Sequence, residues 1–435
     1  MTISSALNAG VAGLNANASR LATISDNIAN SGTYGYKRAT TEFEALILTS
    51  ASPSGTYVAG GVRSAAARQI DERGALIGTA NALDLAMSGR GMLPVTRISA
   101  VDSPLNGNDL MMTSTASFNL NEDGILRSPS GLVLLGWPAN QDGTIPVQPR
   151  DTISGLEPIF VDANAQVGEA TTQVNLNVNL PATATRAGAT ISSIPLSVEY
   201  FDNLGTSSTL EFTFTPTVPA TGQSNTWTVQ ITDSAQNNAV VGEFSVEFDA
   251  SRGSGGAVLN VTPLSAGTYD AATGMLDITT GSGTMQVDIG IIGEKNRLSQ
   301  LSDVFTSTGV TKNGAPSGTL TELTVDERGM LVAAYDTGFT RVLYQVPVVD
   351  VPNVNGLTAL SDQTYEISPE SGPFFLWDAG DGPTGEIVGY ARETSTTDVA
   401  AELTSLIQTQ RAYSSNAKVI QTVDEMLQET TNIKR

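Results

Sequence analysis

Both ends of this chain repeat apolar residues every seven positions, and nothing between them does. Near the N-terminus Leu7, Leu14, Leu21 and Ile28 recur at that interval, with Val11 and Ala18 at the intervening four-residue steps. Near the C-terminus Val399, Leu406, Tyr413, Ile420 and Leu427 do the same, with Leu403 and Ala417 between them. An apolar repeat of this spacing winds into one seam along a helix, of the type that coiled coils bury. The seam is imperfect, since Gln410 and Asp424 hold second positions. A plain amphipathic helix on a globular core has the same pattern. The rest of the first helix favours self-association: Ser5, Asn8, Asn15, Asn17, Ser19 and Thr23 give it a weakly polar surface with few charged pairs. Such a face suits burial among copies or the wall of a neutral passage.

The middle reads as strands. Val174, Leu176, Val178 and Leu180 alternate with asparagines, and the same period returns at Leu196–Tyr200, Leu210–Phe214, Trp227–Ile231, Phe244–Phe248 and Met285–Ile289. One face of each strand is buried and the other wet, and several in series predict an antiparallel sandwich or barrel. Two flanking segments share a hairpin design, Phe118–Leu126 and Leu323–Leu331, each running through an acidic-Gly turn. The expected fold is mixed α and β: paired terminal helices of coiled-coil type plus two mainly antiparallel β domains, one inserted in the other. The expected divisions are 1–30 with 400–435 (helical), 31–74 with 371–399 (connecting arm), 75–154 with 293–370 (nested β domain) and 155–292 (inserted β domain).

Composition removes whole classes of function. The chain has no cysteine and no histidine, so disulfides, thiolate or imidazole metal sites and the usual serine triad are excluded. A net charge of −22 repels nucleic acid and anionic lipid, so neither is an expected partner. The run Leu132–Trp137 is too short to span a bilayer, and the first residues lack the basic and apolar regions of a secretory signal. Asn119-x-Asn121-x-Asp123-Gly124 looks like the start of a calcium loop, but Ser130 stands where the closing carboxylate belongs. Asp378–Pro383 reads as a solvated loop with at most weak affinity for a hard cation. No catalytic, cofactor or metal residue is nominated.

The segment after the first helix is more specific. Asn27, Ala29, Asn30, Thr33, Gly35, Tyr36 and Lys37 fall on an Asn-x-Ala-Asn-x-x-Thr-x-Gly-[Tyr/Phe]-Lys pattern. It resembles the signature of the flagellar axial proteins, the rod, hook and hook-associated family. The stretch from Gln410, Arg411, Ala412 and Tyr413 through Asn416 to Leu427 is similar to that family's C-terminal helix. Leu85–Gly91 with Gly131–Trp137 resembles its middle, although Met92-Leu93 replaces two aromatics. The large inserted β domain favours the hook branch.

The resemblance implies a structural subunit that is not an enzyme and needs no cofactor. It implies self-assembly into a curved tube that carries motor torque to the filament and encloses the export channel, with the twelve terminal-helix residues of the repeats, Leu7, Val11, Leu14, Ala18, Leu21, Ile28, Leu403, Leu406, Tyr413, Ala417, Ile420 and Leu427, at subunit contacts. The implied partners are other copies of the chain, the distal rod protein, the hook cap, hook-associated proteins and the flagellar export apparatus. The implied location is outside the cell, reached by type III export without a cleaved signal. An extracellular β-rich adhesin and a carboxylate glycosidase are the rival classes. The two terminal motifs oppose the first, and 6% aromatic residues is low for the sugar-stacking cleft of the second.

Overall fold

A computed structural model describes residues 3–46, 59–101, 109–140 and 142–433. The parts of the expected arm, nested domain and helical termini that fall at 1–2, 47–58, 102–108, 141 and 434–435 lie outside the described residues. The fold is mostly β, with many antiparallel pairings and a long helix near each end of the chain. It divides into two compact units: residues 1–162, 322–333 and 340–435, and residues 163–321 with 334–339.

In the first unit, strands from before residue 140 pair with strands from after residue 340. The largest sheet contains Thr340–Gln345, Leu132–Pro138, Leu93–Arg97, Met111–Thr113, Thr364–Glu366 and Thr358–Ala359 in that order, each antiparallel to its neighbour. Leu132–Trp137 is buried at every position, which explains why it reads as an unbroken apolar run and not as an alternation. Leu135 and Trp137 pack with Met92, Met112, Val349, Tyr365 and Leu376 in one core. A smaller pairing, Leu76–Gly78 with Ala391–Glu393, carries the chain back toward the second helix.

Both expected hairpin turns form, and by the same device. Asn121 and Asp326 each accept a backbone bond through the side chain from the residue four positions on, Ile125 and Met330. Gly124 and Gly329 take φ of 81° and 79° to close the turns. The calcium-like residues Asn121 and Asp123 are thus spent on a turn. In the Asp378 loop, the carboxylate is held bidentately by Arg150 at 2.9 and 2.7 Å.

The second unit is a sandwich. One sheet is an antiparallel meander of Ile194–Phe201, Ser207–Pro216, Thr226–Asp233, Ala239–Phe248 and Val258–Pro263. Its two edge strands carry Pro195 and Pro263, which blunt edge pairing with other chains. The other sheet centres on Gln173–Leu180, which runs parallel to Gly283–Asp288 and to Leu298–Gln300. Alternation gave no sign of these parallel pairings, because period two is the same in either direction. The alternating residues of both sheets meet in one core that includes Val174, Leu176, Phe212, Trp227, Phe244 and Val287. The intervening asparagines are not simply wet: Asn175 bonds Thr311, Asn177 accepts from Arg297, and Asn179 donates to the carbonyls of Leu301 and Val304.

Candidate subunit interface

Helix α1 spans Ile3–Ala29 and α2 spans Val399–Ile433. The Asn30–Gly35 cluster ends α1 in turns. Asp398 caps α2, its carboxylate accepting from the amides of Ala400 and Ala401. The helices pack antiparallel: Gly10 faces Ile420, Gly13 faces Asn416, and Asn27 reaches Glu402. A Cβ on Gly13 would lie 2.9 Å from the Asn416 amide nitrogen, so glycine permits this approach.

At the root of the pair lies a buried polar hub. Asn27 uses its full bonding capacity, donating to Glu402 and the Ala39 carbonyl and accepting from the Ala39 amide and the Tyr36 hydroxyl. Glu402, 1% exposed, also accepts from Arg38. Lys37 is fully buried, its ammonium 2.6 Å from both the Glu393 carboxylate and the Glu72 carbonyl. The same Glu393 oxygen takes the Gly74 amide. Burial pulls the Lys37 pKa down more than Glu393 raises it. Burial, then the bond to Asp26, pushes the Tyr36 phenol up to about 12. Gly35 has φ of 71° and lies against Thr115, leaving no room for a side chain.

Around α1 the four sides differ. One side (Gly10, Gly13, Asn17, Ile24 and Asn27) meets α2 or is buried beside it. A second meets the two-stranded ribbon Ala39–Ala45/Val62–Arg68: Ala12 lies against Gly61, Thr23 bonds Thr41, and Arg20 sits over Phe43. A third, with Asn8, Asn15 and Ser19, is exposed and polar. The fourth carries the heptad residues. They lie roughly a quarter turn from the α2 contact, given about 100° per residue. On α2 the repeat from Val399 to Leu427 lies about a sixth of a turn, in the same rotational sense, from the buried positions Glu402, Thr409 and Val423. Because the helices are antiparallel, the two apolar stripes face the same way and form one continuous surface.

Comparison with known proteins fits this arrangement. A model of the flagellar basal body rod proteins matches residues 7–37, one of the rod FlgEFG protein C-terminal region matches 389–433, and one of the flagellar basal body protein FlaE D2 domain matches 173–315. Over the full length of both chains the sequence is 32% identical to the flagellar hook protein FlgE of Brucella suis biovar 1 (strain 1330) and 30% identical to that of Rhizobium meliloti (strain 1021). The chain belongs to the flagellar hook protein family. It is 29% identical to the Escherichia coli (strain K12) hook protein, covering 99% of this chain and all of that one. As a hook protein it is a structural subunit, and its relatives are structural proteins rather than enzymes. No helix among the described residues is long and apolar enough to cross a membrane.

The hook-family segments contain Asn27, Tyr36, Lys37, Glu393 and Glu402, the centre of the hub. Of the signature residues, Asn27, Gly35, Tyr36 and Lys37 are buried there. Asn30 bonds back to Asp26 and accepts from Thr33, shaping the turn, while Ala29 is exposed. Asn416 packs on Gly13, Ala412 is half-buried beside it, and Gln410 and Arg411 are exposed. Among the repeat residues, Leu7, Leu14, Leu21, Ile28 and Leu406 are half-buried along the flank of the helix contact, and Ile420, also half-buried, lies in it against Gly10. Val11, Ala18, Leu403, Tyr413, Ala417 and Leu427 are exposed. The direct helix contact therefore combines glycines and polar residues with Ile420, and the remainder of the apolar stripes lies beside it. Sequence reasoning did not single out Arg38, Glu393 or Glu402. Glu402 had one available signal, an acid in the first turn after an Asp cap.

Proposed function

We propose that the chain polymerises through its terminal helix pair into a curved tube that transmits motor torque to the filament and encloses the export channel. The observation that carries this reading is the continuous apolar face of the pair. Val11 (44% exposed), Leu403 (49%), Tyr413 (44%) and Leu427 (39%) face solvent on it in the single chain. An uncovered apolar surface on helices this long favours association, and a neighbouring helix pair presents a surface of the same kind. Coiled-coil packing is thus completed between subunits, beyond the small-residue contact within one. The second unit, interrupting the first in sequence, serves as an outer domain on the tube. Its acidic, Thr- and Ser-rich sheet surface suits small sliding contacts as subunit rows lengthen and shorten. The distal rod, hook cap, hook-associated proteins and export apparatus are the partners that follow from the family, with the assembled location outside the cell.

Cysteine labelling tests the contact directly, because the chain has no cysteine of its own. A Leu403→Cys subunit should react with a maleimide when free and be shielded once assembled. Equal labelling in both states contradicts this reading.

A further inference from the structure

We infer that the first unit holds the chain on both sides of the second with one device used twice. It is a seat in which the carbonyl of a turn glycine, Gly124 or Gly329, takes the amide of a docked valine, Val161 or Val346. Val161 stands just before the chain first passes to the second unit, and Val346 shortly after it last returns. The device lies within the single chain and is independent of the helix pair.

Two segments far apart in sequence match bond for bond. Phe118–Leu126 and Leu323–Leu331 share residues at three places: Glu122 and Glu327, Gly124 and Gly329, Leu126 and Leu331. In each, the first turn residue, Asn121 or Asp326, accepts through its side chain from the amide four residues on. Its own amide donates to the carbonyl of that same residue, and its carbonyl takes the glycine amide. A strand and a second glycine turn follow, in which Gly131 donates to the Ser128 carbonyl and Gly338 to the Tyr335 carbonyl. The strands after these turns, Leu132–Pro138 and Thr340–Gln345, pair antiparallel with each other. Turn chemistry alone would close both hairpins in this way. It would not bring a valine amide to the carbonyl of both turn glycines at 2.7 Å, as happens here.

The docked backbone also explains why both seats are built on glycine. A Cβ on Gly124 would stand 2.7 Å from the Val161 carbonyl oxygen, and one on Gly329 closer still to that of Val346. An apolar side chain closes each seat, Phe160 beside Gly124 and Ile387 beside Gly329. Gly131 and Gly338 also have positive φ, 87° and 80°, yet a Cβ on either would meet nothing within 4 Å. The crowding at Gly124 and Gly329 thus comes from the docked chain and not from closing a turn. Val161 and Val346 are both buried, and a buried amide without an acceptor is costly, so each valine is held to its seat. The two seats fix where the chain leaves the strands of the first unit and where it rejoins them.

Asparagine enters the left-handed backbone more readily than most side chains, so placing it at Gly124, Gly131, Gly329 and Gly338 in turn separates crowding from turn strain. Hydrogen exchange on the full-length protein reads the result. In the unmodified chain the Val161 and Val346 amides should both be protected, and rapid exchange at either overturns the inference. Gly124→Asn should speed exchange at Val161 at least about tenfold and leave Val346 as it was, and Gly329→Asn should do the reverse. Gly131→Asn and Gly338→Asn should leave both amides as in the parent. The second-unit strand Leu210–Phe214 should stay protected in all four variants. Protection at Val161 that survives Gly124→Asn overturns the inference, as does an equal loss from all four substitutions.

Discussion

The Lys37 ammonium and the Glu393 carboxylate are 2.6 Å apart with both side chains cut off from solvent. Removing one partner of such a pair leaves an unpaired buried charge and destabilises by about 3–5 kcal/mol. Lys37→Met should therefore lower the melting temperature of the first unit sharply. Lys37→Met with Glu393→Gln should recover a large part of that loss, because no charge is then stranded. A thermal melt of the two variants beside the parent measures both effects.

The hub also predicts an alkaline limit. The Tyr36 phenol is pushed up to about 12, and Tyr200, buried against Asp233 in the second unit, likewise to about 12. Between pH 10 and 12 the folded chain keeps protons that the unfolded chain has lost. The stability these phenols contribute is thus complete below pH 10 and falls as pH rises through the window, by about 2 kcal/mol each. Denaturant unfolding across that range should show the decline. Tyr36→Phe should make it shallower for the first unit without abolishing it, because burial also raises the Tyr365 phenol there, and should cost about 1 kcal/mol at neutral pH.

Gly13 sets how closely the helices approach. Gly13→Val would drive its branches into Asn416 and part the pair, since even a Cβ there would be 2.9 Å from that side chain. The β units should melt as before, and tube formation should fail. A disulfide between Gly13→Cys and Asn416→Cys, read by gel mobility without background thiols, would report the same proximity.

The second unit should be separable. Its entering and leaving strands pair with each other, Val167 beside Gly318 and Glu169 beside Ala315, so the cut ends are close. Replacing residues 166–318 by a short Gly-Ser linker should leave the first unit with its own cooperative transition in circular dichroism. Loss of that transition would contradict the proposed division.

The sequence revealed some of this directly and concealed the rest for physical reasons. Strands such as Leu210–Phe214 and Trp227–Ile231 face a core on one side, so alternation identified them and their buried residues together. The turns at Asn121 and Asp326 were legible because an acceptor side chain followed by glycine makes a specific set of bonds. The helix contact was not, because hydrophobic periodicity cannot register a surface built from Gly10, Gly13 and Asn27. It identified the neighbouring stripe and, within the contact, Ile420. Glu393 carries no local mark and Glu402 only that of an acid in a capped first turn, since their roles come from Lys37 and Asn27 at the far end of the chain.

Electron microscopy of assembly by Val11→Asp and Leu403→Asp subunits tests whether the apolar face of the helix pair builds the polymer. Both residues are exposed in the single chain, so the free variants should melt like the parent. In a tube each carboxylate would be desolvated at every subunit, and the helix pairs would separate instead. Both variants should keep the parental melting temperature and form no tubes. Normal tubes from both would show that the apolar face of the terminal helices is not the contact that builds the polymer.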